Sequence, residues 1–182
     1  MLQRKPEPCS FNGLIHEELY KGDKIDTLEF GDYLRKLTAD LFSSYNLQNK
    51  NICLNLDFEQ IYLGLDTAIP LGIIVNELVT NSLKHAFPNG NNWEISISLK
   101  KIKDLAANKE ISRADSACSQ EKDFQYTLTV ADNGRGIPEE INFRNADSLG
   151  LQLVNILVEQ IEGCLELRRN QGTEFCIGFN DI

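Results

Sequence analysis

Hydrophobic and polar residues alternate along several short stretches of this chain, and elsewhere the hydrophobic residues recur every three to four positions. Alternation predicts strands, whereas the longer period predicts helices. The predicted strands are Asn51–Phe58, Glu94–Lys100, Tyr126–Asp132, Cys164–Arg169 and Thr173–Phe179, with Ile61–Leu63 as a short partner of the first. The predicted helices are Leu28–Tyr45, Leu71–Phe87 and Leu149–Ile161. Strands joined partly by helices and partly by tight turns predict an α+β two-layer sandwich, with a mixed sheet and helices packed on one face.

The same patterns divide the chain into a domain and a tail. Residues 28–182 form the predicted domain, and residues 1–27 precede it as a short appendage. Within the domain, residues 101–123 lose their periodicity and are rich in charged and small side chains. We therefore predict a mobile, solvated insertion there and no functional site.

Composition excludes some classes of function. The chain of 182 residues carries a formal net charge of −9, which argues against nucleic-acid binding and against direct contact with a membrane through a basic surface. No apolar run approaches the ~20 residues of a membrane-spanning helix. The five scattered cysteines favour reduced thiols and a cytoplasmic location, which leaves open a parent protein tethered to a membrane. Any polyphosphate bound by such an acidic chain needs backbone N–H groups, a metal ion and a few placed cations.

One carboxylate stands out at the end of a predicted strand. Leu128, Val130 and Asp132 share the apolar face of Tyr126–Asp132, because side chains alternate with a period of two. Burying a carboxylate is costly without a partner. The run Asp132-Asn-Gly-Arg-Gly-Ile-Pro138 supplies glycines that let a ligand approach the backbone. An acceptor in this position is suited to the amino group of a nucleobase, so we predict a nucleotide pocket.

Helix Leu71–Phe87 carries a second candidate group. At about 100° per residue, Glu77, Asn81 and Lys84 fall within a narrow wedge beside the apolar stripe. An amide oxygen suits Mg²⁺, and an ammonium group suits phosphate. Taken alone, the three residues are better explained by a solvated helix face than by a binding site.

Two glycine-containing segments complete the set of candidates. Ser148-Leu-Gly-Leu-Gln-Leu-Val154 leads into a helix, whose N-terminal backbone amides are suited to an anion, although an ordinary N-cap at Asp147 or Ser148 also fits. Gly172-Thr-Glu-Phe175 directs Thr173 to the same side as Asp132, although a simple hairpin turn also fits.

A fourth segment, on the second predicted helix, is Val75-Asn-Glu-Leu-Val-Thr-Asn-Ser-Leu-Lys-His-Ala-Phe87. In their order and spacing, this segment and the three glycine-containing segments resemble the ATP-binding catalytic domain of sensor histidine kinases. That family belongs to the Bergerat-fold superfamily, and the chain is most similar to its second histidine-kinase class. The resemblance covers roughly Ile69–Phe179, with a weaker match over Leu14–Tyr45. It implies a mostly antiparallel Bergerat-type sheet that binds ATP and Mg²⁺.

The resemblance also implies roles for individual residues. Asp132 would accept from adenine, Asn81 would ligate Mg²⁺, and Glu77 would orient or deprotonate a nucleophile. The remaining nucleotide-binding positions would be Lys84, His85, Gly134, Gly136, Ile137, Ser148, Leu149, Gly150, Leu151 and Thr173. Residues 139–147 would form a short lid over ATP, in which the family's aromatic element is hard to find, and Ser148 replaces a frequent glycine.

Such a kinase transfers the γ-phosphate of ATP to a histidine on a helical hairpin. His16 more closely resembles a residue near the far end of that hairpin than the acceptor, so we expect the acceptor helix to lie upstream of residue 1. We then expect residues 1–27 to be a remnant of the hairpin, a homodimer in the full-length protein, and a response-regulator receiver domain as partner. Autophosphorylation by this chain alone is not expected. A nucleotide-gated interaction module and a protein-serine kinase are the alternatives.

Overall fold

The computed structural model describes residues 27–45, 51–88, 92–102, 123–141, 143–145, 148–169 and 171–182. Its strands are β1 (Thr27–Glu29), β2 (Ile52–Phe58), β3 (Tyr62–Gly64), β4 (Trp93–Lys101), β5 (Tyr126–Asp132), β6 (Cys164–Arg168) and β7 (Thr173–Phe179). Its helices are α1 (Phe30–Ser44), α2 (Leu65–Asn81) and α3 (Leu149–Gln160), with a π-helical turn at Ser82–Ala86 and a 3₁₀ turn at Phe143–Asn145.

Five strands form the main sheet in the order β2-β4-β5-β7-β6. The β2–β4 pair is parallel and the other three pairs are antiparallel. Ile97, Val130 and Ile177 are buried on the face that the helices cover, whereas Ser98 and Thr129 on the opposite face are half-buried. The alternation is the physical reason that the sheet has one apolar face, and the predicted α+β sandwich with helices on one face is confirmed.

One predicted boundary and one predicted strand pairing near the start of the domain are wrong. Leu28 was expected to be helical, but it pairs with Leu63 in a separate two-stranded antiparallel sheet of β1 and β3. The segment around Ile61 therefore does not pair with β2. Glu29 accepts a hydrogen bond from the backbone N–H of Asp32, so the helix begins one residue after this cap.

Helix α2 begins at Leu65, six residues before the predicted start at Leu71. Pro70, which directly precedes the predicted start, lies inside the helix and is buried. Proline removes one N–H donor, and the carbonyl that it leaves unpaired belongs to the exposed residue Asp66. The helix nevertheless continues through the proline to Asn81.

Several predictions concern residues outside the described ranges. These are residues 1–26, which include His16, residues 103–122 of the expected insertion, and residues 142, 146 and 147 of the predicted lid. Lys101 itself belongs to β4 and pairs with Tyr126. Cys53 and Cys176 are free thiols, but Cys164 is disulfide-bonded, which differs from the expectation of reduced cysteines. Across the described ranges, no helix combines the length and apolarity needed to cross a membrane.

Candidate active site

A cavity of about 370 Å³ opens between the end of α2, the glycine turn after β5 and the start of α3. Ligand pockets in proteins commonly measure about 300–1,000 Å³, so the cavity is large enough for a small molecule. Its lining residues are Leu78, Asn81, Ser82, His85, Ala86, Asp132, Arg135, Gly136, Ile137, Pro138, Ile141, Ser148, Leu151, Thr173 and Phe175.

Asp132 is the buried acidic group of this cavity, with 9% of its surface exposed. Its Oδ2 accepts a hydrogen bond of 2.7 Å from the Ser82 hydroxyl, and its Oδ1 accepts one of 3.0 Å from the Gly134 N–H. These two donors offset the cost of burying the charge. A carboxylate has about four acceptor positions, so Asp132 can still accept from a ligand.

The π-helical turn at the end of α2 holds the glycine turn in place. The carbonyl of Ala86 accepts a 2.9 Å hydrogen bond from the N–H of Arg135. A Cβ atom on Gly134 would lie 2.5 Å from that carbonyl oxygen, so only glycine fits without displacing the backbone. The same turn carries Ser82, and it therefore fixes both the backbone after Asp132 and its carboxylate.

A second glycine contact lies on the other side of Asp132. Gly136 has a φ of 73° and Gly172 a φ of 131°, both in the region that favours glycine. A Cβ atom on Gly172 would overlap the carbonyl of Asp132. Because Asp132 and Thr173 are paired residues of β5 and β7, the tight approach of these turns places Thr173 in the cavity wall.

Asn81 and Glu77 lie near the first turn of α3. A Cβ atom on Gly150 would be 2.9 Å from Glu77 Oε2 and 3.8 Å from Asn81 Nδ2. The described residues contain no group of three or more His, Cys, Asp or Glu side chains that is suited to a metal ion. A single amide oxygen nevertheless fits Mg²⁺, because this ion commonly takes one or two protein ligands and completes its shell with waters and phosphate oxygens.

Eight of the thirteen predicted site residues line the cavity, and five do not. Those in the lining are Asn81, His85, Asp132, Gly136, Ile137, Ser148, Leu151 and Thr173. Those outside it are Glu77, Lys84, Gly134, Leu149 and Gly150. Leu149 is 80% exposed, and Lys84 is also exposed. Their roles toward a nucleotide stay predictions.

Three contributors were missed in the sequence. Ser82 lies on the buried, apolar stripe of its helix, where a hydroxyl is itself a signal of a polar partner. Arg135 lines the cavity from within the glycine turn. Phe143 packs edge-on against the cavity residue Phe175, with 6.3 Å between ring centroids. It is the only aromatic residue between Glu139 and Asp147, and that fact could have identified it.

Most of this chain matches a known protein family. Residues 66–181 match the family described as "Histidine kinase-, DNA gyrase B-, and HSP90-like ATPase". The chain belongs to this family. A second family, described as "Histidine kinase", matches residues 12–45. The resemblance to histidine kinase catalytic domains is thereby confirmed, and members of this ATPase family bind ATP, typically with Mg²⁺.

Individual relatives of this ATPase-family chain are also histidine kinases. Blue-light-activated histidine kinase 2 of Erythrobacter litoralis is 30% identical over 118 residues, which cover 65% of this chain and 29% of that protein. Sensor histidine kinase PdtaS of Mycobacterium tuberculosis is 30% identical over 116 residues, which cover 62% of this chain and 19% of that protein. The matched part is thus less than a third of these curated relatives.

Solved structures agree on the fold. The histidine kinase domain from Erythrobacter litoralis EL346 superposes with a TM-score of 0.69 at 26% identity, covering 93% of this chain and 70% of that one. The ATP binding domain of PrrB from Mycobacterium tuberculosis superposes with a TM-score of 0.59 at 18% identity, covering 86% and 97%. The second likeness shows the shared fold alone.

Proposed function

We propose that this chain is the ATP-binding catalytic module of a two-component sensor histidine kinase, which transfers the γ-phosphate of ATP to a histidine on a helical hairpin. The observation that carries the proposal is the buried carboxylate of Asp132, held by Ser82 and Gly134 in the wall of a cavity of suitable size. An acceptor fixed in this way favours a ligand that presents an N–H donor, as the adenine amino group does.

The adenine end of the site is built around Asp132. Its carboxylate accepts from the adenine amino group, and the Thr173 hydroxyl lies beside it to complete the polar contacts. Gly136 keeps a side chain away from the base, Gly134 lets the turn pack against Ala86 so that Asp132 is held in the wall, and Ile137 and Leu151 provide apolar contact. Burial of the carboxylate between two donors makes this recognition selective, because a mismatched ligand would leave a desolvated acceptor unpaired.

The phosphate end of the site lies toward α3. Asn81 holds Mg²⁺, which neutralises phosphate charge when it is bound. Lys84, from outside the cavity lining, and His85, from within it, face the phosphates and offset their negative charge. The backbone N–H groups of Ser148 to Leu151, with Leu149 and Gly150 between them, face the same phosphates at the start of α3. Glu77, beside Gly150, orients or deprotonates the nucleophile.

Phosphoryl transfer of this kind depends mainly on positioning and charge stabilisation. In this proposal, residues 28–182 form the ATP-binding domain, and residues 1–27 are a remnant of the dimerisation and phosphoacceptor hairpin. The partners are that hairpin, a second copy of the kinase and a response-regulator receiver domain. We place the site in the cytoplasm because it uses ATP, and this location no longer rests on the cysteines, since Cys164 is disulfide-bonded.

The test mixes the chain with a purified histidine-bearing hairpin of a related kinase and ATP labelled at the γ-phosphate. Acid-labile label on the hairpin histidine is the expected result. Measurable ATP affinity without label would favour a nucleotide-gated interaction module, and acid-stable label would favour a serine kinase. Asp132→Asn serves as the matched control, because it changes one functional group and should remove label.

A further inference from the structure

Asn155 lies in the middle of α3, outside the lining of the cavity. Its side-chain Nδ2 donates one hydrogen bond of 2.8 Å to the carbonyl of Phe143 and one of 2.9 Å to the carbonyl of Leu151. Two carbonyl acceptors fix the nitrogen as the contacting atom and use both of its protons. Asparagine is a weak helix former, so its helical propensity does not explain its presence here.

Each partner of Asn155 leads to the cavity wall. Leu151 lines the cavity directly. Phe143 packs its ring against Phe175, another lining residue, with the ring planes 78° apart. The guanidinium of Arg144 lies 5.5 Å from the centre of the Phe143 ring. The hydrogen bond from Asn155 to the carbonyl of Phe143 therefore fixes the backbone that carries this ring, and with it the position of the ring against Phe175.

We propose that Asn155 is a positioning residue for the nucleotide: its amide ties Phe143 to α3, so that the Phe143 ring supports Phe175 and closes one wall of the pocket. This inference rests on the proposed ATP binding. Without the amide, the 3₁₀ turn that carries Phe143 loses its side-chain hydrogen bond to α3 and keeps only packing contacts, so the bound nucleotide dissociates faster.

The experiment measures ATP·Mg²⁺ affinity by calorimetry and release of a fluorescent ATP analogue by stopped flow. Asn155→Leu keeps the size of the side chain and removes the donor. We expect the Kd to rise about three- to tenfold, mainly through faster release, because the substitution removes the hydrogen bond to Phe143 as well as the one to Leu151. Gln160→Met, an equivalent change at an exposed position of α3, should leave both quantities unchanged.

A double-mutant cycle separates positioning from general destabilisation. Phe143→Leu should raise the Kd by a similar factor, and the double variant should be no worse than either single variant, because both changes remove the same support. Hydrogen exchange should quicken around Phe143 in Asn155→Leu but stay unchanged within α3. A simple structural role in α3 would give the opposite exchange pattern.

Several results would overturn the inference. Unchanged affinity and release in Asn155→Leu, while the unaltered chain binds ATP, would refute it and leave the proposed function standing. Fully additive effects of the two substitutions would also refute it. Failure of the unaltered chain to bind ATP·Mg²⁺ would refute the proposed function, and this inference with it.

Discussion

Removing the hydroxyl of Ser82 isolates the contact that holds Asp132 in place. The Ser82 oxygen lies 2.7 Å from Asp132 Oδ2 and 3.2 Å from the carbonyl of Leu78. A hydroxyl has one proton, and the shorter contact to a charged acceptor is the stronger one. Ser82→Ala therefore removes one of the two donors to a carboxylate that is 9% exposed.

The magnitude follows from the kind of hydrogen bond. A bond to a charged group contributes about 1.5–3 kcal/mol, and Asp132 retains its second donor, Gly134. We expect Ser82→Ala to lower the free energy of unfolding by about 2 kcal/mol, which corresponds to a fall in Tm of about 4–8 °C for a chain of this length. The Kd for ATP should rise about three- to tenfold, because the carboxylate can then rotate away from adenine.

Urea unfolding and calorimetry with ATP measure the two effects. Ser43→Ala is the matched control, since the Ser43 hydroxyl also donates back to a helix carbonyl, that of Ala39 at 2.8 Å, but at an exposed site. The control should change stability by less than about 0.5 kcal/mol and leave ATP affinity unchanged. If Ser82→Ala behaves like Ser43→Ala in both assays, the hydroxyl does not support the carboxylate and the reasoning fails.

Three further substitutions test other parts of the account. Gly172→Ala should cost about 3 kcal/mol of stability or more in urea unfolding, because Gly172 has a φ of 131° and an added Cβ atom would overlap the carbonyl of Asp132. The control Gly64→Ala, at a φ of −62°, should cost little, and equal costs would contradict the argument. Arg168→Met should cost about 2–4 kcal/mol of stability, because it leaves Glu166, which is 4% exposed, without its hydrogen-bond partner; the same hydrogen bond raises the pKa of Arg168. Adding Glu166→Leu should restore most of the lost stability. Equal stability of Arg168→Met and the unaltered chain would show that the pair contributes nothing. Asn81→Ala should slow label transfer to the hairpin about 100-fold while ATP still binds, and unchanged transfer would exclude Asn81 as the metal ligand.

Much of this architecture was predictable because its signals are local and periodic. Strands β5 and β7 show clean alternation, and the structure gives them the predicted bounds of Tyr126–Asp132 and Thr173–Phe179. The same period placed Asp132 and Thr173 on one face, and they are indeed paired residues in the cavity wall. In a strand, alternation determines on which face of the sheet each side chain lies, whichever strands are its neighbours.

Predictions failed where the outcome depended on distant contacts. Pairing of β3 with β1 instead of β2 is set by tertiary packing, and nothing in the short run around Leu63 encodes its partner. Pro70 suggested a helix start, but whether a proline interrupts a helix depends on what else can satisfy the freed carbonyl. Ser82 and Phe143 acquire their roles from Asp132 and Phe175, which are 50 and 32 residues away in sequence.

The most direct test of the account is calorimetric titration of Asp132→Asn with ATP·Mg²⁺. The substitution keeps the size of the side chain, and the stability of the variant protein can be checked separately. The asparagine amide, however, presents an N–H donor where adenine also donates. We predict that the Kd rises by about 100-fold or more compared with the unaltered chain, since a buried polar mismatch is strongly penalised. Equal ATP affinity in the two proteins would contradict the assignment of this cavity as a nucleotide site.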